Sequence, residues 1–460
     1  MKQRKVVIIG LDSMPPSLVF DVQRENMPTL SRLIDSGSHG PLRSTDPPIT
    51  IPAWISMTSG LEPGDLGVYG FRQRTADSYG MRLVEPSDVS APRLWDLVAA
   101  NKKKAVVVSV PLTYPPSDNP LIAMTSCFLT PGPESMWASN SSVAQDLEER
   151  FGQYIVDVEN FRSGDKHRIL SDCSDMTKQH FAIFRYLIKK EQPDFAMIVD
   201  LGPDRLHHTM LSSCMPNHPK YSSNNPLNRA VSQYYALLDN EISEVLDLLD
   251  DDTLVLVVSD HGVKPLLGSV CINEWLYREG YLVLKEYPNE ITPLSRCKVD
   301  WKQTRAFGEG GYHARIFLNI NGREPMGAVP ASSFSQVRNE LANRLEQMTD
   351  SPGELLKNRV YTPDMLYENP VGFPPDLTVY FDDLSRRSAG TLGHRSVFIK
   401  TNDTGPDEAN HDYNGIWIMA DKKLTSQNVE IPADICDIFQ TAIFAMGITR
   451  PVDTRGKSLF

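Results

Sequence analysis

Leu254-Val255-Leu256-Val257-Val258-Ser259-Asp260-His261 is a run of five apolar residues closed by a small polar residue, an acid and a histidine. An uninterrupted apolar run of this length fits a strand covered on both faces, because a strand with one wet face alternates. The same pattern appears at Val6-Val7-Ile8-Ile9-Gly10-Leu11-Asp12 and at Phe195-Ala196-Met197-Ile198-Val199-Asp200. Further strands are predicted over 105–110, 281–285, 315–320, 376–381 and 415–420. Amphipathic helices are predicted over 28–36, 53–59, 93–100, 175–191, 230–249 and 335–348. Strands alternating with helices predict an α/β fold with a mostly parallel central sheet. A core over 1–262 and 365–460 is expected, with an inserted cap or lobe over 263–364.

The whole-chain balance narrows the function classes. The chain has 460 residues, 41% of them hydrophobic, which is apolar mass enough for a large core. It carries 46 Lys+Arg against 58 Asp+Glu, a net charge of −12. A dedicated nucleic-acid binder is normally basic, since phosphate neutralisation supplies most of its affinity. The acidic balance therefore argues against a long nucleic-acid track and against an anionic membrane surface. Six cysteines without a CxxC pair exclude a zinc ribbon and suit reduced thiols. The first apolar run is too short for a signal peptide and ends in Asp12, and no run approaches a membrane span, so a cytoplasmic protein is expected.

In open α/β sheets chemistry gathers at the carboxyl ends of the strands. Asp12, Asp200 and Asp260 each stand there, with Asp204 and His208 close behind Asp200 and His261 next to Asp260. Asp204 and His208 are four residues apart, which puts both on one face of a helical turn. His207 between them points elsewhere and reads as a supporting residue. One acid after a strand is usually a helix cap, but three in one chain with histidines alongside suggest a metal site. Pro47-Pro48-Ile49-Thr50-Ile51-Pro52-Ala53-Trp54 places the Thr50 hydroxyl at a stiff bend leading into a helix N-terminus, a position that favours anions.

Taken in order, Gly10-Leu11-Asp12, the segment from Thr50-Ile51-Pro52-Ala53-Trp54 to Thr58-Ser59-Gly60, Asp204-Arg205-Leu206-His207-His208, Ser259-Asp260-His261-Gly262 and Asn410-His411-Asp412-Tyr413-Asn414-Gly415 resemble the alkaline phosphatase superfamily, in its type I phosphodiesterase/nucleotide pyrophosphatase branch. Asn273-Glu274-Trp275-Leu276 and Asn319-Ile320-Asn321-Gly322-Arg323-Glu324-Pro325 resemble prokaryotic members. The resemblance implies an alkaline-phosphatase-like three-layer sandwich, with helices on both faces of the sheet and a smaller inserted cap. It also implies a two-metal centre. One divalent ion would be held by Asp12, Asp260 and His261 beside Thr50, the other by Asp204, His208 and His411. Zinc suits this mixed His/Asp set best, and manganese or iron also fit. Thr50 would be the nucleophile, transiently phosphorylated or nucleotidylated.

The implied activity is metal-dependent hydrolysis of a small phosphate-bearing substrate, at a phosphodiester or nucleotide pyrophosphate bond. A phosphomonoesterase, or a phosphotransferase to an acceptor alcohol, is the alternative. A sulfatase would need a Cys or Ser where Thr50 stands and an Arg where Trp54 stands. Leu66 replaces a common histidine, and Val68-Tyr69-Gly70-Phe71-Arg72 lacks the phosphate-binding Asn of many nucleotide pyrophosphatases. Arg72, Arg74, His313 and Arg315 are the candidates to contact the substrate's anionic groups instead, with His394 and Arg395 as further anion contacts.

Overall fold

Seven strands carry the central sheet: β1 Val6–Leu11, β2 Ser38–Arg43, β3 Ala105–Val108, β4 Ile122–Met124, β5 Phe195–Asp200, β6 Leu254–Val258 and β7 Asn414–Asp421. Val429–Glu430 and Ala433–Asp434 pair with β2 and complete nine strands, ordered β2-β7-β6-β1-β5-β3-β4. The structure, a computed structural model, describes residues 3–75, 78–132, 134–350, 353–421 and 429–460. Pairings from β6 to β4 are all parallel, and β7 alone runs against its neighbours β6 and β2.

Every residue of β1, β5 and β6 is buried, as their continuous apolar composition requires. Burying each such Val, Ile or Leu contributes about 1.5–3 kcal/mol. Two groups of helices supply the cover. The first comprises α1 Pro28–Ser36, α4 Lys166–Glu191, α5 Gly202–Met210 and α6 Leu227–Leu246, packed on one another. The second comprises α2 Thr50–Ser59, α3 Leu94–Ala100 and α7 Ile435–Met446. The architecture is a three-layer α/β sandwich with a mostly parallel sheet. No helix among the described residues is long and apolar enough to cross a membrane.

Register decides where the chemistry gathers. Leu11 lies opposite Asp200 and Gly10 opposite Val258, so β1, β5 and β6 end at one edge. Because β7 is antiparallel, with Trp417 opposite Val258, its beginning lies at that same edge. β2 also ends there, since Arg43 pairs with Asn414. The segments that follow β1, β2, β5 and β6 and the segment that precedes β7 therefore converge.

The chain divides into two units: Met1–Leu66, Glu85–Val263 and His411–Phe460 form one, and Gly67–Val84 with Lys264–Asn410 form the other. Of the expected lobe over 263–364, residues 264–364 lie in the second unit, which also continues to Asn410 and takes in 67–84. The reason is pairing. Strand Leu377–Tyr380 hydrogen-bonds between Ala314–Leu318 and Arg359–Tyr361 in an antiparallel sheet that Ala306–Glu309 completes. The hairpin Arg72–Arg74 with Met81–Leu83 is fastened there by the buried Arg74–Glu324 pair. The core of this unit includes Ile272, Leu276, Phe307, Ile316 and Leu341. The run predicted as a strand over 281–285 is extended only over Leu284–Glu286, because Tyr281 and Leu282 turn inward into that core.

Candidate metal centre

Asp12 follows β1 and Asp260-His261 follow β6, all fully buried. Thr50 opens α2, whose first turn contains Pro52 and whose end is set by Gly60 in the left-handed region at φ 71°. Asp204 and His208 lie one turn apart on α5, whose start is held by Asp200: one carboxylate oxygen accepts from Gly202 N at 3.1 Å, the other from Thr177 Oγ1 at 2.9 Å. His411 lies just ahead of β7. The structure thus brings Asp12, Thr50, Asp204, His208, Asp260, His261 and His411 into one buried cluster within the first unit.

His261 Nε2 is the centre of this cluster. It lies 3.3 Å from Thr50 Oγ1, 3.3 Å from Asp260 Oδ2 and 3.6 Å from Asp12 Oδ1. The His261 and His411 rings stack at 3.7 Å. Asp204 Oδ1 is 3.3 Å from His208 Nε2 and 3.7 Å from His411 Nε2. Two trios present ligand atoms all within 4.8 Å of one another: Asp12, Asp260 and His261, and Asp204, His261 and His411. His261 is thus shared between the trios, whereas the expected division gave it to one ion. His208 touches Asp204 and lies outside both trios.

Ring orientation is fixed from behind. His261 Nδ1 is 3.0 Å from Gly262 O and His411 Nδ1 is 3.1 Å from Pro48 O. A carbonyl only accepts, so both Nδ1 atoms carry the proton and both Nε2 lone pairs face the cluster. The carboxylates are held likewise. Trp54 Nε1 donates to Asp12 Oδ2 at 2.7 Å, and Ser13 N donates to Asp260 Oδ1 at 3.2 Å. Arg205 donates to Asp204 Oδ2 and is clamped by Asp157 through bonds of 2.8 and 2.9 Å. His207 turns away, with Nε2 2.7 Å from the Tyr235 hydroxyl.

The electrostatics call for cations. Burial, reinforced by Asp204, pushes the Asp12 carboxyl well above its ordinary value; burial and Asp12 do the same to Asp260. Burial also opposes ionisation of Asp204, but His208, Arg205 and His411 outweigh it and hold that carboxyl well below its ordinary value. Burial drives His261 down to about 4. Asp12 Oδ1 and Asp260 Oδ2 are buried and accept no hydrogen bond. A polar oxygen in that situation costs stability unless something else satisfies it. Inward carboxylate oxygens and imidazole lone pairs at this spacing fit divalent cations, which would meet both needs.

Trp54 and Arg205 brace two of the candidate ligands, a role their motifs do not signal. Trp54 is four residues from Thr50, hence on the same helix face. Arg205 supports its neighbour Asp204 through Asp157, a residue 48 positions away that no local pattern connects to it.

The anion-contact candidates Arg72, Arg74, His313 and Arg315 all belong to the second unit. Arg74 is buried in a two-pronged ion pair with Glu324, its guanidinium 5.5 Å from the Phe307 ring centroid and 5.1 Å from that of Phe317. Its charge is thereby matched inside that core. Of the further anion contacts, His394 Nε2 lies 2.7 Å from Thr391 Oγ1, and Arg395 is exposed.

The family described as type I phosphodiesterase / nucleotide pyrophosphatase matches residues 6–413. No curated protein matches by sequence. Among solved structures, the phosphonoacetate hydrolase of Sinorhizobium meliloti, in complex with phosphonoformate, is similar with a TM-score of 0.62 at 16% identity, over 97% of this chain and 96% of that one. Human ectonucleotide pyrophosphatase / phosphodiesterase 5 is similar with a TM-score of 0.56 at 12% identity, over 99% and 97% of the two chains. These likenesses establish the alkaline-phosphatase-like fold.

Proposed function

The chain belongs to the type I phosphodiesterase / nucleotide pyrophosphatase family, a family of phosphohydrolases, and from that premise we propose that it hydrolyses a phosphodiester or nucleotide pyrophosphate bond through a covalent phospho- or nucleotidyl-threonine at Thr50. The observation that carries this reading is the Thr50 hydroxyl, 3.3 Å from His261 Nε2 at the wall of a buried cluster of carboxylates and imidazoles. Asp12, Asp260 and His261 would hold one divalent ion, and Asp204 and His411, with His208 beside Asp204, a second. Zinc suits the donors best. Bound there, the ions supply positive charge that favours the ionised hydroxyl and neutralises phosphoryl oxygens.

The chain's own groups account for the rest. Thr50 Oγ1 attacks phosphorus, forming the O–P bond as the leaving alcohol or phosphate departs with the bonding pair. Thr50 begins α2, so its Oγ1 is delivered at a helix N-terminus, where backbone N–H groups favour the incoming anion. Trp54 and Arg205 keep the Asp12 and Asp204 carboxylates from rotating, and burial keeps bulk water from the developing charge. Water then cleaves the threonine ester.

The test compares turnover of a chromogenic phosphodiester, a nucleotide pyrophosphate, a phosphomonoester, a phosphonate and a sulfate ester with zinc or manganese supplied. The diester or pyrophosphate is expected to be fastest. Thr50→Ala is expected to lose turnover by roughly 10³-fold or more while keeping its metals. An unaltered rate in Thr50→Ala removes the covalent step from the proposal, and a monoester preference replaces the substrate class.

A further inference from the structure

His313 and Arg315 of the second unit form a cluster that the proposed chemistry does not require. His313 is 3% exposed, and neither ring nitrogen has a hydrogen-bond partner. Its ring meets that of Tyr380 edge-on at 5.8 Å. Two residues along, in the strand Ala314–Leu318, Arg315 is 7% exposed, and its charge acts on the His313 ring. One of its terminal nitrogens donates to the backbone oxygen of Arg72. Among the described residues no carboxylate lies within ion-pair distance of Arg315. Glu309, its cross-strand partner, is the nearest acid in register, yet the two make no ion pair.

A buried guanidinium whose nearest counter-charge, Glu309, acts on it without forming an ion pair, beside a second arginine and an imidazole with both nitrogens unused, is costly to fold. The other buried arginines of this unit show the usual remedy: Arg74 is paired with Glu324 and Arg387 with Asp407. Gly70 packs against the guanidinium: a Cβ there would come within 3.3 Å of an Arg315 terminal nitrogen. Burial, with Arg315 adding to it, drives His313 down to about 3, so the imidazole is neutral at pH 7 and offers one N–H donor.

We propose that His313 and Arg315, with Arg72 alongside, form an oxyanion-binding site in the second unit that takes a compact phosphate or carboxylate group. The guanidinium supplies the charge and a planar pair of donors, and the His313 N–H supplies a third donor at an angle to it. This site goes beyond the proposed hydrolysis and needs neither the metals nor Thr50.

The test is calorimetric titration of the full-length chain with inorganic phosphate and, separately, with malonate. It is run on the protein as purified and again in EDTA. One anion per chain is expected to bind in EDTA, where the carboxylate–imidazole cluster cannot compete, and the tighter of the two anions identifies the oxyanion class. Arg315→Gln is expected to weaken this binding at least tenfold, and Arg72→Gln, at an exposed position that leaves the fold intact, by several-fold. Lys298→Gln, which removes an exposed charge elsewhere in the unit, is the control and is expected to bind as wild type. Absence of binding by the wild-type chain in EDTA overturns the proposal. So does wild-type affinity in Arg72→Gln together with Arg315→Gln, or in Arg72→Gln alone where Arg315→Gln does not fold.

Discussion

The Trp54 indole holds Asp12 by a 2.7 Å hydrogen bond, and the same ring lies where a side chain on Gly10 would stand. The position of one proposed ligand is thus tied to the absence of a side chain two residues before it. Trp54→Phe removes the donor and keeps most of the ring. Supporting bonds of this kind are worth about 10–100-fold in metal affinity. The variant is expected to fold and to give up metal to a chelator at correspondingly lower chelator concentration. Unchanged retention would mean that the indole only packs.

Gly10→Ala probes the other end of that relationship. Its Cβ would fall 2.5 Å from the Trp54 ring and 2.8 Å from Val199 Cγ2, both within a closed core. Overpacking of this kind costs about 1–3 kcal/mol. The denaturation midpoint is expected to fall with no change in the slope. A variant as stable as the parent would show that the tryptophan yields freely.

Metal stoichiometry tests the ligand assignment. Asp204→Ala and His411→Ala are each expected to retain one metal per chain by elemental analysis, because the trio of Asp12, Asp260 and His261 survives in both. Two metals per chain in both variants would contradict the division. In the wild-type chain, EDTA is expected to stop turnover and lower the melting temperature, with both restored by zinc or manganese. The fall follows because binding that requires the folded cluster is linked to stability.

Acid stability carries a separate signature from His180 on α4. Its ring is buried, Nε2 lies 2.7 Å from Ile155 O, and burial depresses its pKa to about 4 from 6.5. Below pH 6.5 the unfolded chain takes up a proton that the folded chain refuses. The stabilisation is therefore complete above pH 6.5 and is lost as pH falls toward 4, by about 3 kcal/mol at most. Denaturant unfolding of His180→Gln, which keeps an N–H donor, is expected to depend less steeply on pH across that window than the wild type. Parallel pH profiles would assign the acid sensitivity to other groups.

The sheet was legible because its central strands are buried on both faces and so cannot alternate. Their ends were legible because an acid follows each apolar run. Helix starts were harder. The stretch predicted over 175–191 begins at Lys166, capped by Asp165, since polar first turns carry little periodicity. The helix predicted over 230–249 occupies Leu227–Leu246. Asp157 behind Arg205 and Trp54 behind Asp12 stayed hidden because their roles depend on long-range contacts that spacing does not encode. The second unit's extent was hidden for the same reason: Leu377–Tyr380 reads like any other buried strand until its partner Ala314–Leu318 is known.

Strand β1 sits between β5 and β6, partners that follow it in the chain by about 190 and 250 residues. Ribosomes elongate at about 5–20 residues per second, so the apolar segment Val6–Leu11 waits roughly 10–40 s for its first neighbour to be made. During that interval an unpaired, uncharged strand edge is open to the wrong partner. The strand Val6–Leu11 therefore depends on shelter during translation, and slowing synthesis between residues 12 and 195 lengthens its exposure.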